Sequence, residues 1–493
     1  MPLLGGLWPA LAAMAGESGA WTAFGEDTVS QLARSLASRP YAAPDQTLPA
    51  ALAGADYDRY RDFRYRPDRA LWREMPDSRF QAQFFHRGFL FKPRVDIDVV
   101  ADGRAQPVPF STDLFDYSPN PTPVLDSGLG LAGFRLHAPL NRPDYFDELC
   151  VFLGASYFRA VGRGMGYGLS ARGIALGSGD PGAEEFPAFR AFWLHRPEPG
   201  ADTITVDALL DGPSLAGAFR FRIRPGNETV FEVDARLFPR VDLPDAGIAP
   251  LTSMYQFDAA DRRGVDDYRP AVHDSDGLAL WTGTDEQVWR PLHNPATIQH
   301  SGFQDRSPRG FGLMQRKRAF SEFQDAEAGY ERRPSAWIEP LDDWGRGEVH
   351  LVEIPTADEY QDNIVAFWRP GTPLQAGGES RWRYRLHWTA PHRWKPGLAH
   401  VEATRIGARP GPDRDVRLIV VDFSGDADSG VPEVEVAASR GAIAHPVVHA
   451  RPGGGWRAAF EFAPEAGQAS ELRMRLNRGG EPFSETWTYR WSA

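Results

Sequence analysis

From residue 80 onward the chain alternates apolar and polar positions, the two-residue period of strands with one face buried. TITVDALLDG (203–212), FRFRIRPG (219–226) and TVFEVDARLFPRV (229–241) are clear examples, with Gly and Pro punctuating the ends. The longer period of a helix is confined to the beginning. There Asp27 or Thr28 caps a short helix that lines Val29, Leu32, Ala33 and Leu36 on one face and stops before Pro40. A second short helix is predicted over 57–63. No strand–helix–strand rhythm occurs, which argues against a parallel nucleotide-binding sheet.

RWRYRLHW (381–388) reads as the closing strand of a first unit, 21–390, and 391–400 as a linker. The remainder, 401–493, is a second all-β unit. VRLIVVDF (416–423), PEVEVAAS (432–439), WRAAFEFAP (456–464), ELRMRLN (471–477) and TWTYRWS (486–492) are short strands at immunoglobulin-like spacing. The pattern therefore predicts an all-β protein, a large antiparallel β-sandwich followed by a smaller one. A unit of that size has its own core, so a chain ending near Ala390 is expected to fold by itself. Residues 1–20 read as a leader: LLGGLWPALAAMA (3–15) has the apolar run and small-residue site of a secretory signal, although no Lys or Arg precedes Arg34.

A length of 493 residues also favours two domains. With 42% hydrophobic and 24% charged residues the composition is that of a globular protein, and no later run is long and apolar enough to span a membrane as a helix. The 30 Phe, 15 Trp and 14 Tyr either fill sandwich cores or stack on sugar rings. A net charge of −12 argues against nucleic acid or an anionic membrane surface as partner. The one cysteine, Cys150 in LCVFLG, reads as a buried structural thiol and excludes an intrachain disulfide.

Several motifs lose to plainer readings. The glycine run 162–168 lacks the Lys-Ser/Thr of a phosphate loop and is expected to be a tight turn. His445 and His449 lie four apart on a strand, roughly 13 Å, too far to hold one ion. HDSDG (273–277) has neither the glycine nor the distal Glu of a calcium loop. No Gly-x-Ser-x-Gly elbow marks a serine hydrolase. The carboxylates remain. Glycoside cleavage needs an acid for the leaving oxygen and a second group to activate water or attack carbon. Asp274 and Asp276 share one face of a short extended stretch. Asp358, Glu359 and Asp362 sit in a turn-rich passage, and the apolar run 363–368 after Asp362 is expected to lower the local dielectric and keep that carboxyl protonated. Arg332 and Arg333 are candidates to pair with these carboxylates or bind hydroxyls. Trp337, Trp344 and Trp368 are candidate stacking platforms, one or two of them core.

Five phrases in fixed order carry a resemblance: DYRPAVHDSDGL (267–278), WRPLHNP (289–295), SPRGFGLMQR (307–316), YERRPSAWIEP (330–340) and LVEIPTADEYQDNIVAFW (351–368). They resemble the osmoregulated periplasmic glucan biosynthesis proteins G and D of proteobacteria, from about Trp21 to Trp388 and more weakly beyond. The resemblance implies a galactose-mutarotase-like sandwich followed by an immunoglobulin-like domain, in the periplasm. It implies an enzyme that works inside linear β-1,2-glucan with inversion at the anomeric carbon and without metal or organic cofactor. By motif, Asp362 of DNIVAFW matches the general acid and Asp274 of VHDSDG the general base. Tyr330 and Glu359 match positions that orient substrate or relay protons. The pair Tyr360-Gln361 departs from the pattern.

Two other readings fit the same residues. A sugar hydroxyl in place of water would make the site a transglycosylase that branches or cyclises the chain. A non-catalytic glucan-binding factor would assist a membrane glucan synthase, but both aspartates are retained. The protein is expected to act as a monomer or homodimer, and the loops 407–415 and 425–430 to help close a glucan cleft.

Overall fold

The computed structural model describes residues 21–492 apart from 181, 183, 391–396 and 426–429. The leader, most of the linker and the middle of the 425–430 loop lie outside the described residues. Alternation of side chains is what builds the rest. In Leu215–Arg224 and Thr229–Pro239 successive residues point to opposite faces, so one face of each strand enters the core. The helix Thr28–Ala37 buries Val29 and Ala33 on the outer face of the main sheet, against Trp193, Leu209 and Phe238. The second helix is Tyr57–Arg61, capped by Asp56, which accepts the Arg59 N–H. It stops short of 63 because Phe63 turns into the core.

The main sheet runs through Ala188–His195, Ile204–Asp211, Leu215–Arg224, Thr229–Pro239, Ser380–Thr389, Ser335–Pro340, Gly310–Met314, Gly277–Trp281 and Gln287–Pro291. A nine-stranded sheet lies across it, with Gln299–Arg306 at one edge, then Arg346–Glu353, Ile364–Pro370 and Ile248–Ser253, and Gln81–His86 at the other edge. Between them runs an aromatic core. Phe134, Phe152 and Phe158 of the nine-stranded sheet meet Phe192, Phe221 and Phe231 of the main sheet at ring centroid distances of 4.9, 5.2 and 5.8 Å. Much of the aromatic load is thus core. Cys150 is fully buried in Asp147–Leu153, and His445 and His449 are exposed on Ala442–Ala450.

The C-terminal strands form a second sandwich. Val401–Ala408, Arg417–Phe423, Trp456–Ala463 and Ala442–Ala450 make its outer sheet. Its other sheet, Thr486–Trp491, Ser470–Arg478 and Glu433–Ala438, prolongs the main one: Val288 and Trp289 pair in parallel with Thr486 and Trp487. One hydrophobic cluster accordingly joins Ala279, Trp289, Met314 and Trp337 to Trp456, Phe460, Trp487 and Tyr489. The buried Arg316 guanidinium lies 3.4 Å from the Trp289 ring centroid and donates to Glu485 at 2.6 and 3.0 Å and to the Val401 carbonyl at 2.7 Å. The two sandwiches thus share one cluster. The edge of Gln287–Pro291 is completed by residues far away in sequence.

Candidate active site

Asp274 and Asp276 lie where the two-residue strand Val272–His273 passes into Gly277–Trp281. Their backbones are fixed, Asp274 N–H to the Met254 carbonyl at 2.8 Å and Asp276 N–H to the Met314 carbonyl at 2.9 Å. Both side chains are buried but have different partners. Asp274 is paired with Arg333. Asp276 accepts the Arg316 backbone N–H at 3.1 and 3.2 Å, with Lys317 close by and itself paired to Asp258. Burial pushes Asp276 up to about 6. Burial also pushes Asp274 up; Arg333 opposes that rise and the negative charge of Asp362 adds to it. His273, sandwiched between Tyr255 and Phe323, is pushed down to about 3 by burial.

Residues 354–363 connect Arg346–Glu353 to Ile364–Pro370. Asn294 clamps the start, accepting the Thr356 N–H at 3.0 Å and donating to the Thr356 carbonyl at 2.8 Å. Asp358 closes a local turn by accepting the Tyr360 N–H at 2.9 Å, and Tyr360 is 87% exposed. Asn363 clamps the end. Its amide accepts the Tyr255 N–H at 2.8 Å and donates to the Tyr255 and Ile354 carbonyls, each at 2.9 Å, while its own N–H donates to the Ser253 carbonyl at 3.0 Å. Because Ser253, Met254 and Tyr255 hold both Asn363 and Asp274, the two candidate aspartates are brought to one site from distant segments.

Asp362 differs from its expected setting. Ile364 to Trp368 pack into the core instead of surrounding it, because the strand begins only after Asn363. The Asp362 side chain is 27% exposed and faces Arg159 of Tyr157–Ala160 at 3.5 Å.

Tyr330 opens a short turn, Tyr330–Arg332, after Gly329 in the left-handed conformation. Its hydroxyl donates to Glu359 Oε2 at 2.8 Å, and burial, assisted by Glu359, pushes the phenol far up. The Arg333 guanidinium lies 4.2 Å from the Tyr330 ring centroid, so one arginine touches both the phenol ring and Asp274. The glycine run 162–168 packs against this turn. Gly166 N–H donates to the Arg332 carbonyl at 3.1 Å, and a Cβ on Gly168 would stand 2.9 Å from Arg333 Cβ. Close approach of backbone to the turn is the physical reason for the glycine at 168.

Other candidates are not brought in. Arg332 is 62% exposed and its side chain pairs only with Glu331, at 3.7 Å. The stacking role assigned to Trp344 and Trp368 is corrected: Trp344 is 5% and Trp368 0% exposed, and Trp344 packs edge-on against Trp382 and Tyr384. Trp337 is buried as well, in the core shared with the C-terminal sandwich. A ring sealed in a core has no face to offer a sugar.

Arg159, Arg269 and Asn363 are the residues that sequence reasoning passed over. Arg269 lies inside DYRPAVHDSDGL, two positions after Asp267, but its partners Asp325 and Glu359 are remote in sequence. Asn363 stands inside a quoted phrase and Arg159 outside all five, and only the folded chain shows what they touch. Chemically, the site unites two carboxylates in contrasting environments with a phenol and a third carboxylate, a set suited to proton transfer.

The family described as "Periplasmic glucan biosynthesis protein, MdoG" matches residues 24–491. A Rhodopseudomonas palustris (strain BisA53) protein named Glucans biosynthesis protein G is 52% identical over 478 residues, 95% of this chain and 94% of the relative. A Bradyrhizobium diazoefficiens protein of the same name is 49% identical over 97% of this chain and 95% of its own length. One from Vibrio cholerae (strain ATCC 39541) is 47% identical over 95% of this chain and 87% of its own. The chain belongs to the MdoG family of periplasmic glucan biosynthesis proteins.

Proposed function

We propose that this protein, acting in the periplasm, cleaves linear β-1,2-glucan at internal linkages with inversion at the anomeric carbon. Asp362 donates the proton to the glycosidic oxygen. Asp274 is the general base and reaches its nucleophile through an ordered relay, with Tyr330 and Glu359 beside it to orient substrate. The observation that carries this reading is the convergence of Asp274, Asp362 and the Tyr330–Glu359 pair on one set of backbone anchors, with Asp362 close enough for its charge to act on Asp274.

Arg333 supports the base role, since a guanidinium against Asp274 favours the ionised form that burial opposes. Asp362 faces Arg159 at 3.5 Å. A glucan chain laid over Asp362 excludes water from the carboxyl and competes with it for Arg159. An inverting pair stands about 6.5–9.5 Å apart to admit water, and a relay lengthens that span.

Incubation of the purified protein with linear β-1,2-glucan, followed by mass spectrometry of the products, is the test. Linear fragments that have each gained one water are expected. Products lighter by one water identify a cyclising transglycosylase on the same residues. An unchanged glucan that is nevertheless bound replaces the enzyme with a binding factor that assists a membrane glucan synthase.

A further inference from the structure

One arginine outside the set of Asp362, Asp274, Tyr330 and Glu359 makes more carboxylate contacts than any of them. Arg269 donates through Nε and Nη2 to Asp267, at 3.1 and 2.8 Å. Its Nη1 donates to Asp325 Oδ2 at 2.8 Å and to Glu359 Oε2 at 2.7 Å. Its side chain is 13% exposed, and those of Asp267, Asp325 and Glu359 are 20%, 10% and 24% exposed. Three segments of chain are tied at this point: the stretch leading to Asp274, the turn in which Asp325 accepts the Glu327 and Ala328 N–H groups before Tyr330, and the connection that carries Asp362.

Glu359 Oε2 is the shared atom. It accepts from Tyr330 Oη at 2.8 Å and from Arg269 Nη1 at 2.7 Å. A carboxylate held by a guanidinium stays an acceptor, so the phenol proton is turned toward Glu359 and the lone pairs of Tyr330 Oη are left for another donor. A neutral carboxyl at 359 is free to donate instead, and the phenol then loses its fixed sense. Arg333, across the Tyr330 ring, fixes the ring but does not touch Glu359 in the hydrogen bonds of the described residues. Arg262 supports the arginine side of the cluster through the carbonyls of Asp267, Arg269 and Pro270.

We infer that Arg269 is a positioning residue that orients the Tyr330 hydroxyl, by holding Glu359 in place as the acceptor of its hydrogen bond. This rests on the glucan-cleaving reading for its kinetic consequence, but the hydrogen-bond arrangement it asserts is independent of any activity.

Two measurements test it on the full chain. In a double-mutant cycle, Arg269→Gln and Tyr330→Phe are each expected to lower kcat on β-1,2-glucan by about 100-fold with KM within about threefold. The double variant is expected to be no slower than the slower single one, because Arg269 acts through the phenol. Additive losses overturn the inference, since a merely structural arginine would cost the same with or without the hydroxyl. The second measurement is NMR of the protein labelled at tyrosine Cζ. The Tyr330 resonance, assigned by its loss in Tyr330→Phe, is expected to move in Arg269→Gln and to move back partway in Arg269→Lys, which restores charge but not the fork. An unmoved resonance overturns the inference even where no glucan is cleaved, whereas an inactive wild type with a moving resonance overturns only the glucan-cleaving reading. Should Arg269→Gln not fold, the cycle and the spectrum are read on Arg269→Lys, for which the same non-additivity and a smaller displacement are required.

Discussion

Asp274 and Asp362 have the same side chain in different surroundings, and the proposed division of roles between them rests on that difference. Asp362→Asn retains shape and the ability to bind glucan but has no proton to give. Its kcat is expected to fall by at least about 10²–10⁴-fold, with melting temperature and glucan affinity nearly unchanged. Asp274→Asn is expected to be nearly as slow on glucan and less stable by about 1–3 kcal/mol, because Arg333 then faces a neutral amide. A glucosyl donor with a good leaving group separates the roles, since it spares the acid but not the base. Partial rescue of Asp362→Asn alone is the expected result, and equal rescue of both overturns the assignment. The sequence phrases made Asp274, Asp362, Tyr330 and Glu359 candidates. They did not reveal that Arg333 belongs to Asp274 while its neighbour Arg332 faces solvent, because a turn sends adjacent side chains in different directions. Apolar sequence around an acid was equally uninformative about Asp362, since that run belongs to a strand buried on both faces that begins only after Asn363.

At the level of elements, the connection over residues 354–363 owes its shape to two asparagine amides. Asn363 satisfies three backbone groups of neighbouring segments with one side chain. Asn363→Ala leaves those buried groups unpaired and is expected to cost roughly 3 kcal/mol or more, read as a lowered denaturation midpoint at unchanged slope. Turnover is expected to fall further than stability predicts, because the adjacent residue is Asp362. Strands were legible wherever one face meets solvent, as in Leu215–Arg224 with its alternating burial. Trp344 and Trp368 were misread for a related reason. Their segments lie between two packed layers, and a tryptophan that fills a core has the same neighbours in sequence as one that lines a groove.

For the molecule, the all-β class and the presence of a second sandwich followed from strand spacing, while the union of the two did not. A chain ending near Ala390 would uncover Trp289, Trp337, Met314 and Ala279 and leave the Arg316 guanidinium without Glu485. Losing burial costs about 1.5–3 kcal/mol for each large side chain, and loss of the buried Glu485 carboxylate from Arg316 adds to it. Such a truncation is expected to be insoluble or to lack a cooperative transition, and the full chain to unfold in a single calorimetric step. Two separate transitions, or a soluble truncation with a sharp melt, would show that the shared cluster is not the structural tie.

The parallel pairing beside Trp289 also has a consequence in time. The Glu286 side chain accepts from Thr486, 200 residues later. Synthesis proceeds from the N-terminus, so the strand Gln287–Pro291 waits with an open edge while every intervening residue is made. An open edge next to a large apolar side chain is an invitation to pair with another chain. During that interval the nascent protein needs shielding, and the strand that follows Asp274 and Asp276 has a neighbour that is still incomplete. That neighbour gains its own partner only once Thr486–Trp491 has been made, so the order of synthesis leaves the last tie of the main sheet to the end of the chain.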